Sequence, residues 1–95
     1  MDLKVIFPPP PPPLTAKAIF DRFAALGLKE QVTEFDQNTT DTILQADYLS
    51  DYLTLVFSEP NFNSFLMWGF WDGMSWINNA PIYAQNWSLK PSGEA

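Results

Sequence analysis

Apolar positions recur along the chain in blocks, and changes in their spacing mark out the elements. Ala18, Ile19, Phe23 and Leu26, with Phe20, repeat at intervals of three and four, the spacing that lines one side of an α-helix. Thr15 stands just before them with an oxygen able to cap, and Gly27 follows with the left-handed conformation that stops a helix. The pattern predicts a helix over 16–26. Residues 30–35 are too few for a helix, contain Val32, Thr33 and Phe35, and read as a short buried strand. After a polar cluster at 38–41 with several candidate caps, Leu44, Tyr48, Tyr52 and Leu55 recur on one face beside Leu49, Leu53 and Val56. This predicts a longer helix over 42–57, ended by the approach of Pro60, since proline disfavours helical geometry in the residue before it. The run S-F-L-M-W-G-F at 64–70 is continuously apolar, as expected of a parallel strand covered on both faces.

Helix, strand, helix, strand is the order of βα units in a parallel sheet, with the strands at 31–35 and 65–68 side by side. Two strands alone leave long unpaired edges and too little surface to cover the wide apolar face of the second helix. The pattern therefore reads as a slice of a larger α/β protein. Ahead of it lie six consecutive prolines at 8–13, which lack backbone donors and have a fixed φ, and so form polyproline II. Such a run acts as a stiff spacer or as a ligand for a proline-binding domain. The chain divides into a proline-rich low-complexity segment over 1–14, expected to pack against little, and a foldable part over 15–95.

Composition narrows the physics. An apolar content of 46% in 95 residues is enough for a core, yet a chain this small buries only about 60% of its unfolded surface and usually needs a staple, a metal or a partner. There is no cysteine and no histidine, which excludes disulfides, thiolate or imidazole metal sites and histidine-dependent triads. No metal or other cofactor is expected. Stability must come from packing or from another chain. A net charge of -6, with five scattered Lys and Arg, argues against nucleic acid and favours a neutral ligand. No apolar run approaches the roughly 18 residues of a membrane span, and Val5 to Phe7 is too short for the core of a signal peptide.

Two constellations carry candidate chemistry. Glu34 ends a buried strand and Asp36 follows at the same-face spacing of two. A carboxylate there is costly unless a site uses it or it escapes into a solvated loop, and the C-terminal ends of parallel strands are where barrel enzymes place reacting groups. The second is Trp68, Trp71 and Trp76, within nine residues, beside Asp72, Asn78 and Asn79. Flat rings of this kind either pack a core or stack on sugar faces, with amides and carboxylates binding the hydroxyls.

Together these motifs resemble the end of the family 10 glycoside hydrolases, the endo-1,4-β-xylanases. T-E-F-D at 33–36, A-D-Y-L at 46–49, L-V-F-S-x-P at 55–60, F-L-M-W-G-F-W-D-G at 65–73, Trp76 eight residues after Trp68, and N-W-S-x-K-P at 86–91 follow one another in the family's order and spacing. The resemblance covers 18–95. It implies an α/β fold that is part of a (β/α)₈ TIM barrel, strands seven and eight with flanking helices only. It also implies hydrolysis of xylan or xylo-oligosaccharides with retention of configuration, outside the cell. Carried over by position, Glu34 is the catalytic nucleophile, Asp36 its supporting acidic neighbour, and Trp68 and Trp76 bind the substrate.

Departures accompany the matches. Retaining hydrolysis needs a second carboxyl group about 5 to 5.5 Å from the first to protonate the leaving oxygen, and in the family it follows the fourth strand, in a segment these residues do not contain. The histidine that contacts the nucleophile in the family has no counterpart, and Ile77 stands where many relatives have Arg. Asp72 is a weak substitute for the acid, because a two-strand slice offers few walls to desolvate it. The resemblance therefore implies a xylanase fragment inactive by itself, with a missing N-terminal barrel segment as its partner. The alternative from the residues is a non-catalytic proline-rich interaction protein or weak sugar-binding protein.

Overall fold

The computed structural model describes residues 12–75, 77 and 79–95, and the backbone of 2–5. The proline run at 8–11, Trp76 and Asn78 lie outside the described residues. Three parallel strands, β1 (Asp2–Val5), β2 (Glu30–Phe35) and β3 (Phe62–Met67), form one sheet in the order β1-β2-β3. Helices α1 (Pro13–Ala24) and α2 (Thr42–Ser58) connect them, and a short helix α3 (Pro91–Glu94) closes the chain.

The first helix starts earlier than its spacing suggested. Pro13 takes the first turn, where its missing N–H costs nothing and its φ is already helical. Thr15 is therefore inside the helix, and its amide bonds the Pro12 carbonyl at 2.9 Å rather than its side chain capping anything. Gly27, at φ +76, supplies the expected stop. Only Ala16 and Phe20 of α1 are buried; Ile19 and Leu26, expected on the core face, are exposed. With Phe23 they line an open surface cavity of about 490 Å³.

The second helix begins at a cap drawn from the anticipated polar cluster, with Asp41 accepting from the Leu44 amide at 3.0 Å. It ends at Ser58, one turn-forming step before Pro60. Leu49, Tyr52, Leu55 and Val56 pack with Ala16, Phe20, Val32 and Phe35 into one core between helices and sheet. Leu44, predicted on this face, is exposed, and Gln45 is buried in its stead.

Two sequence expectations need correction. Residues 2–5, read as part of a segment that packs against little, pair with β2 as an edge strand. Strand pairing uses backbone groups that every residue but proline carries, so the absence of apolar alternation did not prevent it. The sheet therefore has one strand more than the two anticipated. Second, β3 begins three residues before the expected Phe65 and is covered on one side only: Phe62, Phe65 and Met67 pack on the core, while Leu66 and Trp68 are exposed.

The pairing register contains an irregularity that decides which way Glu34 faces. Leu3 pairs with Val32 but Lys4 with Glu34, so Thr33 is skipped, and on the other side Val32 pairs with Phe65 and Phe35 with Met67. One extra residue in β2 reverses the alternation, as in a β-bulge. Val32 and Phe35 consequently both reach the helix-side core. Glu34 falls on the opposite, open face of the sheet.

Candidate active site

Glu34 is the penultimate residue of β2, half-buried, at the C-terminal end of the parallel sheet. Asp36 is fully buried, and neither of its carboxylate oxygens has a hydrogen-bond partner among the described residues. Its pKa is pushed up from 3.8 to about 6, first by loss of solvent and then by the charge of Glu34. A buried carboxyl with no donor is costly when ionised. Taking up a proton near neutral pH removes that cost and avoids a second negative charge beside Glu34.

Trp68 directly follows β3, and Phe35 pairs with Met67, so Glu34 and Trp68 emerge at the same end of adjacent strands. The Trp68 ring is 58% exposed, available to a ligand rather than spent on the core. Trp71 does not share its surroundings. Its ring stacks on Trp87 at 4.4 Å, and its Nε1 donates to the Gln85 carbonyl at 3.1 Å. Trp87 has φ +66, an uncommon conformation for a bulky side chain that costs on the order of 1–3 kcal/mol.

Asp72 is already engaged. The Lys90 ammonium lies 2.9 and 2.8 Å from its two oxygens, and Lys90 also donates to the Asn79 carbonyl at 3.2 Å. Both carboxylate oxygens are occupied by this ammonium, which disfavours Asp72 as a donor to a substrate. Asn79 contributes its backbone here, with φ +62, a conformation asparagine tolerates. Ile77 is buried, its backbone carbonyl accepting from the Ser75 hydroxyl at 2.9 Å.

Two buried polar residues escaped the sequence reading. Gln45 donates through Nε2 to the carbonyls of Asn79 at 2.6 Å, Gln37 at 3.2 Å and Ala80 at 3.3 Å, while its Oε1 accepts from Ser92 at 3.2 Å. It ties the chain after β2 to the loop after β3 and to α3. A polar residue at four-three-four spacing with Leu49, Tyr52 and Val56 was the available signal. Glu30, buried at the opposite end of β2, accepts from the Asn61 amide, and burial pushes its pKa up. It lies at the end of the sheet away from Glu34, where barrel folds invest in stability rather than chemistry.

Further cavities open on the helix side. One of about 310 Å³ lies between α2 and β3, against Phe57, Phe62 and Phe65, and another of about 460 Å³ lies beside Pro12, Leu14 and Leu55. Among the described residues no group of three or more His, Cys, Asp or Glu could hold a metal ion, and no helix is long and apolar enough to cross a membrane.

A parallel sheet with helices on one face, and carboxylates and exposed aromatic rings at its C-terminal end, is consistent with a piece of an α/β barrel. The model of Glycosyl hydrolase family 10 matches residues 7–94, and the chain belongs to that family. It is 36% identical over 78 residues to the anti-sigma-I factor RsgI6 of Acetivibrio thermocellus, a match covering 81% of this chain and 10% of that protein. Among solved structures, it is similar to xylanase 10B of Thermotoga petrophila RKU-1 in complex with xylobiose, with a TM-score of 0.73 and 26% identity over 80% of this chain and 28% of the other. The intracellular xylanase TsXylA of Thermoanaerobacterium saccharolyticum matches with a TM-score of 0.71 and 28% identity over 82% of this chain and 27% of the other. Xylanase B of Clostridium stercorarium F9, at 20% identity, shares the fold over 95% of this chain and 33% of its own length with a TM-score of 0.74. The chain thus spans a tenth of the anti-sigma relative and between a quarter and a third of these xylanases.

Proposed function

We propose that the chain is the C-terminal βα part of a retaining endo-1,4-β-xylanase barrel, with β2 and β3 in the places of its seventh and eighth strands. In this reading Glu34 is the nucleophile, Asp36 its supporting neighbour, and Trp68 and Trp76 line the sugar subsites next to the cleavage point. The observation that carries it is the irregular register of β2, which turns Glu34 away from the hydrophobic core and onto the open face, at the end of the sheet where Trp68 is exposed.

The chemistry follows from that placement. The Glu34 carboxylate attacks the anomeric carbon of a xylosyl unit, the glycosidic C–O bond breaks, and a covalent glycosyl-enzyme forms that water later hydrolyses. The departing sugar oxygen needs a proton. Asp72 is held by Lys90 and Asp36 is buried, so neither stands ready as general acid, and forgoing that proton costs a factor of roughly 10² to 10⁴ in rate. The 95 residues by themselves are therefore inactive, and the remaining barrel strands would pair along the edges at β1 and β3 and close over the open face of the sheet.

A non-catalytic reading, in which exposed rings bind sugar without cleaving it, is favoured by one observation: a 36% identical relative is by name an anti-sigma factor. One experiment separates the two. The purified chain and its Glu34→Ala variant are assayed on xylotetraose, alone and mixed with a polypeptide carrying strands one to six of a family 10 barrel. We expect activity only in the mixture and only with Glu34 present. Activity of the chain alone would overturn the incompleteness, and mixture activity that survives Glu34→Ala would overturn the nucleophile. A mixture that associates but never turns over would favour the non-catalytic reading.

A further inference from the structure

The end of the sheet that carries Glu34 and Trp68 also carries a group of rings that the proposed reaction does not use. The Trp71 and Trp87 indoles stack at 4.4 Å with their planes 11° apart, and the rings of Phe70 and Tyr83 each lie 6.2 Å from Trp87. Several features lock the group in place. The Trp71 ring rests on Gly73, where even a Cβ would come within 2.2 Å of it. Its Nε1 is tied to the Gln85 carbonyl. Backbone bridges join Trp71 to Tyr83 and Tyr83 to Leu89, and Trp87 itself is held with a positive φ.

Rings held this firmly are ordinarily buried, yet Trp87 is 54% and Phe70 61% exposed. A backbone strain accepted in order to present an aromatic surface to solvent points to a ligand for that surface. The charges beside it say which kind. In a chain of net charge -6, the charged residues next to it in sequence, Asp72 and Lys90, neutralise each other. The patch has nothing to offer an ionic ligand. Its edge carries the amides of Gln85 and Asn86, and the Asn86 carbonyl oxygen is occupied by the Ser88 amide and hydroxyl. That bond turns the Asn86 amide into a donor set suited to hydroxyl acceptors.

We propose that Phe70 and Trp87, with Trp71 fixed behind Trp87, form a second carbohydrate-binding platform, which stacks the apolar faces of neutral β-linked xylosyl units beyond the subsites of Trp68 and Trp76. The chain runs directly from Trp68 at the end of β3 into Phe70 and Trp71, so one oligosaccharide can leave the cleft and lie across the platform. The ligand class rests on the reading of this chain as part of a xylanase, but the binding requires neither Glu34 nor the rest of a barrel.

The test is a titration of the full 95-residue chain with xylohexaose, followed through the indole N–H signals of its four tryptophans. The expected result is saturable binding that shifts the Trp71 and Trp87 signals. Trp87→Ala and Phe70→Ala, both at exposed side chains, should each weaken association at least tenfold with an unchanged far-UV spectrum, while Ile43→Ala, at an exposed position on α2, leaves it intact. Trp87→Phe should recover most of the loss. No saturable binding, binding undiminished by both ring variants, or equal affinity for an acidic oligosaccharide would overturn the platform. The nucleophile is judged separately by xylotetraose turnover in the complemented barrel, so either reading can fail alone.

Discussion

Val32 and Phe35, three residues apart on one strand, face the same helices. Regular alternation would send one of them to the other side of the sheet, and Thr33, skipped in the pairing with β1, is what prevents it. The Glu34 carboxylate and the core are therefore coupled through the phase of a single strand. Deleting Thr33 should leave Val32 and Phe35 facing inward and Glu34 outward, and the variant should keep a cooperative unfolding transition. Inserting an alanine between Thr33 and Glu34 should likewise keep Val32 and Phe35 inward, now by unbroken alternation, whereas a strand left out of phase would drive Glu34 inward and expel Phe35. Loss of a buried phenylalanine alone costs about 3–5 kcal/mol, comparable to the whole stability of a domain this small. Thermal or urea denaturation decides it: a collapse of cooperative unfolding in either variant would refute the role given to Thr33.

Asp36 predicts an unusual pH dependence. Its folded pKa, about 6, lies above the unfolded value of 3.8, so the folded state binds the proton more tightly. The stabilising contribution is fully present below the unfolded value and is lost as pH rises through about 6. Relative to Asp36→Asn, the natural chain should therefore weaken between pH 4 and pH 7.5, by on the order of 2–3 kcal/mol. Parallel denaturation series at the two pH values test this. A constant difference between the two proteins would show that burial of Asp36 does not govern its titration.

Gln45 links three separated segments, so its loss should be felt far from its own helix. In Gln45→Ala the carbonyls of Gln37, Asn79 and Ala80 lose a shared donor and the Ser92 hydroxyl loses its acceptor. Leaving buried groups unsatisfied costs about 1–3 kcal/mol. Hydrogen exchange should accelerate in residues 79–95 while α1 and β2 remain protected. Uniform acceleration across the chain would mean that Gln45 supports the core generally and not this junction.

What could be read from the sequence follows from which interactions are local. The presence of α1 and the extent of α2 came through because Phe20, Leu49, Tyr52 and Val56 repeat with the helical period, and β2 came through on its brevity and its Val32, Thr33 and Phe35. Glu34 at a strand end was legible for the same reason, and resemblance supplied its role. Asp2–Val5 was not, because a four-residue strand of mixed character is defined by its partner's register and not by its own pattern. Nor did the apolar run after Phe62 reveal which of its sides is covered: Leu66 and Phe65 are equally hydrophobic, and only the position of α2 separates them. The skipped Thr33 carries no local mark, since threonine is an ordinary strand residue.

Lys90 provides the last prediction, because it joins the tail of the chain to the loop that follows β3. Its ammonium is 2.8 Å from an Asp72 oxygen, with the two side chains only 10% and 18% exposed, and it also donates to the Asn79 carbonyl. A pair so little exposed escapes most of the screening that makes surface ion pairs weak, while removing one partner strands the other charge in a poorly solvated place. Lys90→Met keeps the length and apolar stem of the side chain but deletes the charge, and should cost about 2–4 kcal/mol on that account. Asp72→Asn, which leaves a dipole for the ammonium, should cost less. Combining Lys90→Met with Asp72→Asn should recover part of the loss, since no unpaired charge then remains. Measured by urea denaturation, strictly additive effects in the double variant would show that the two residues act independently and that the tail is held by something else.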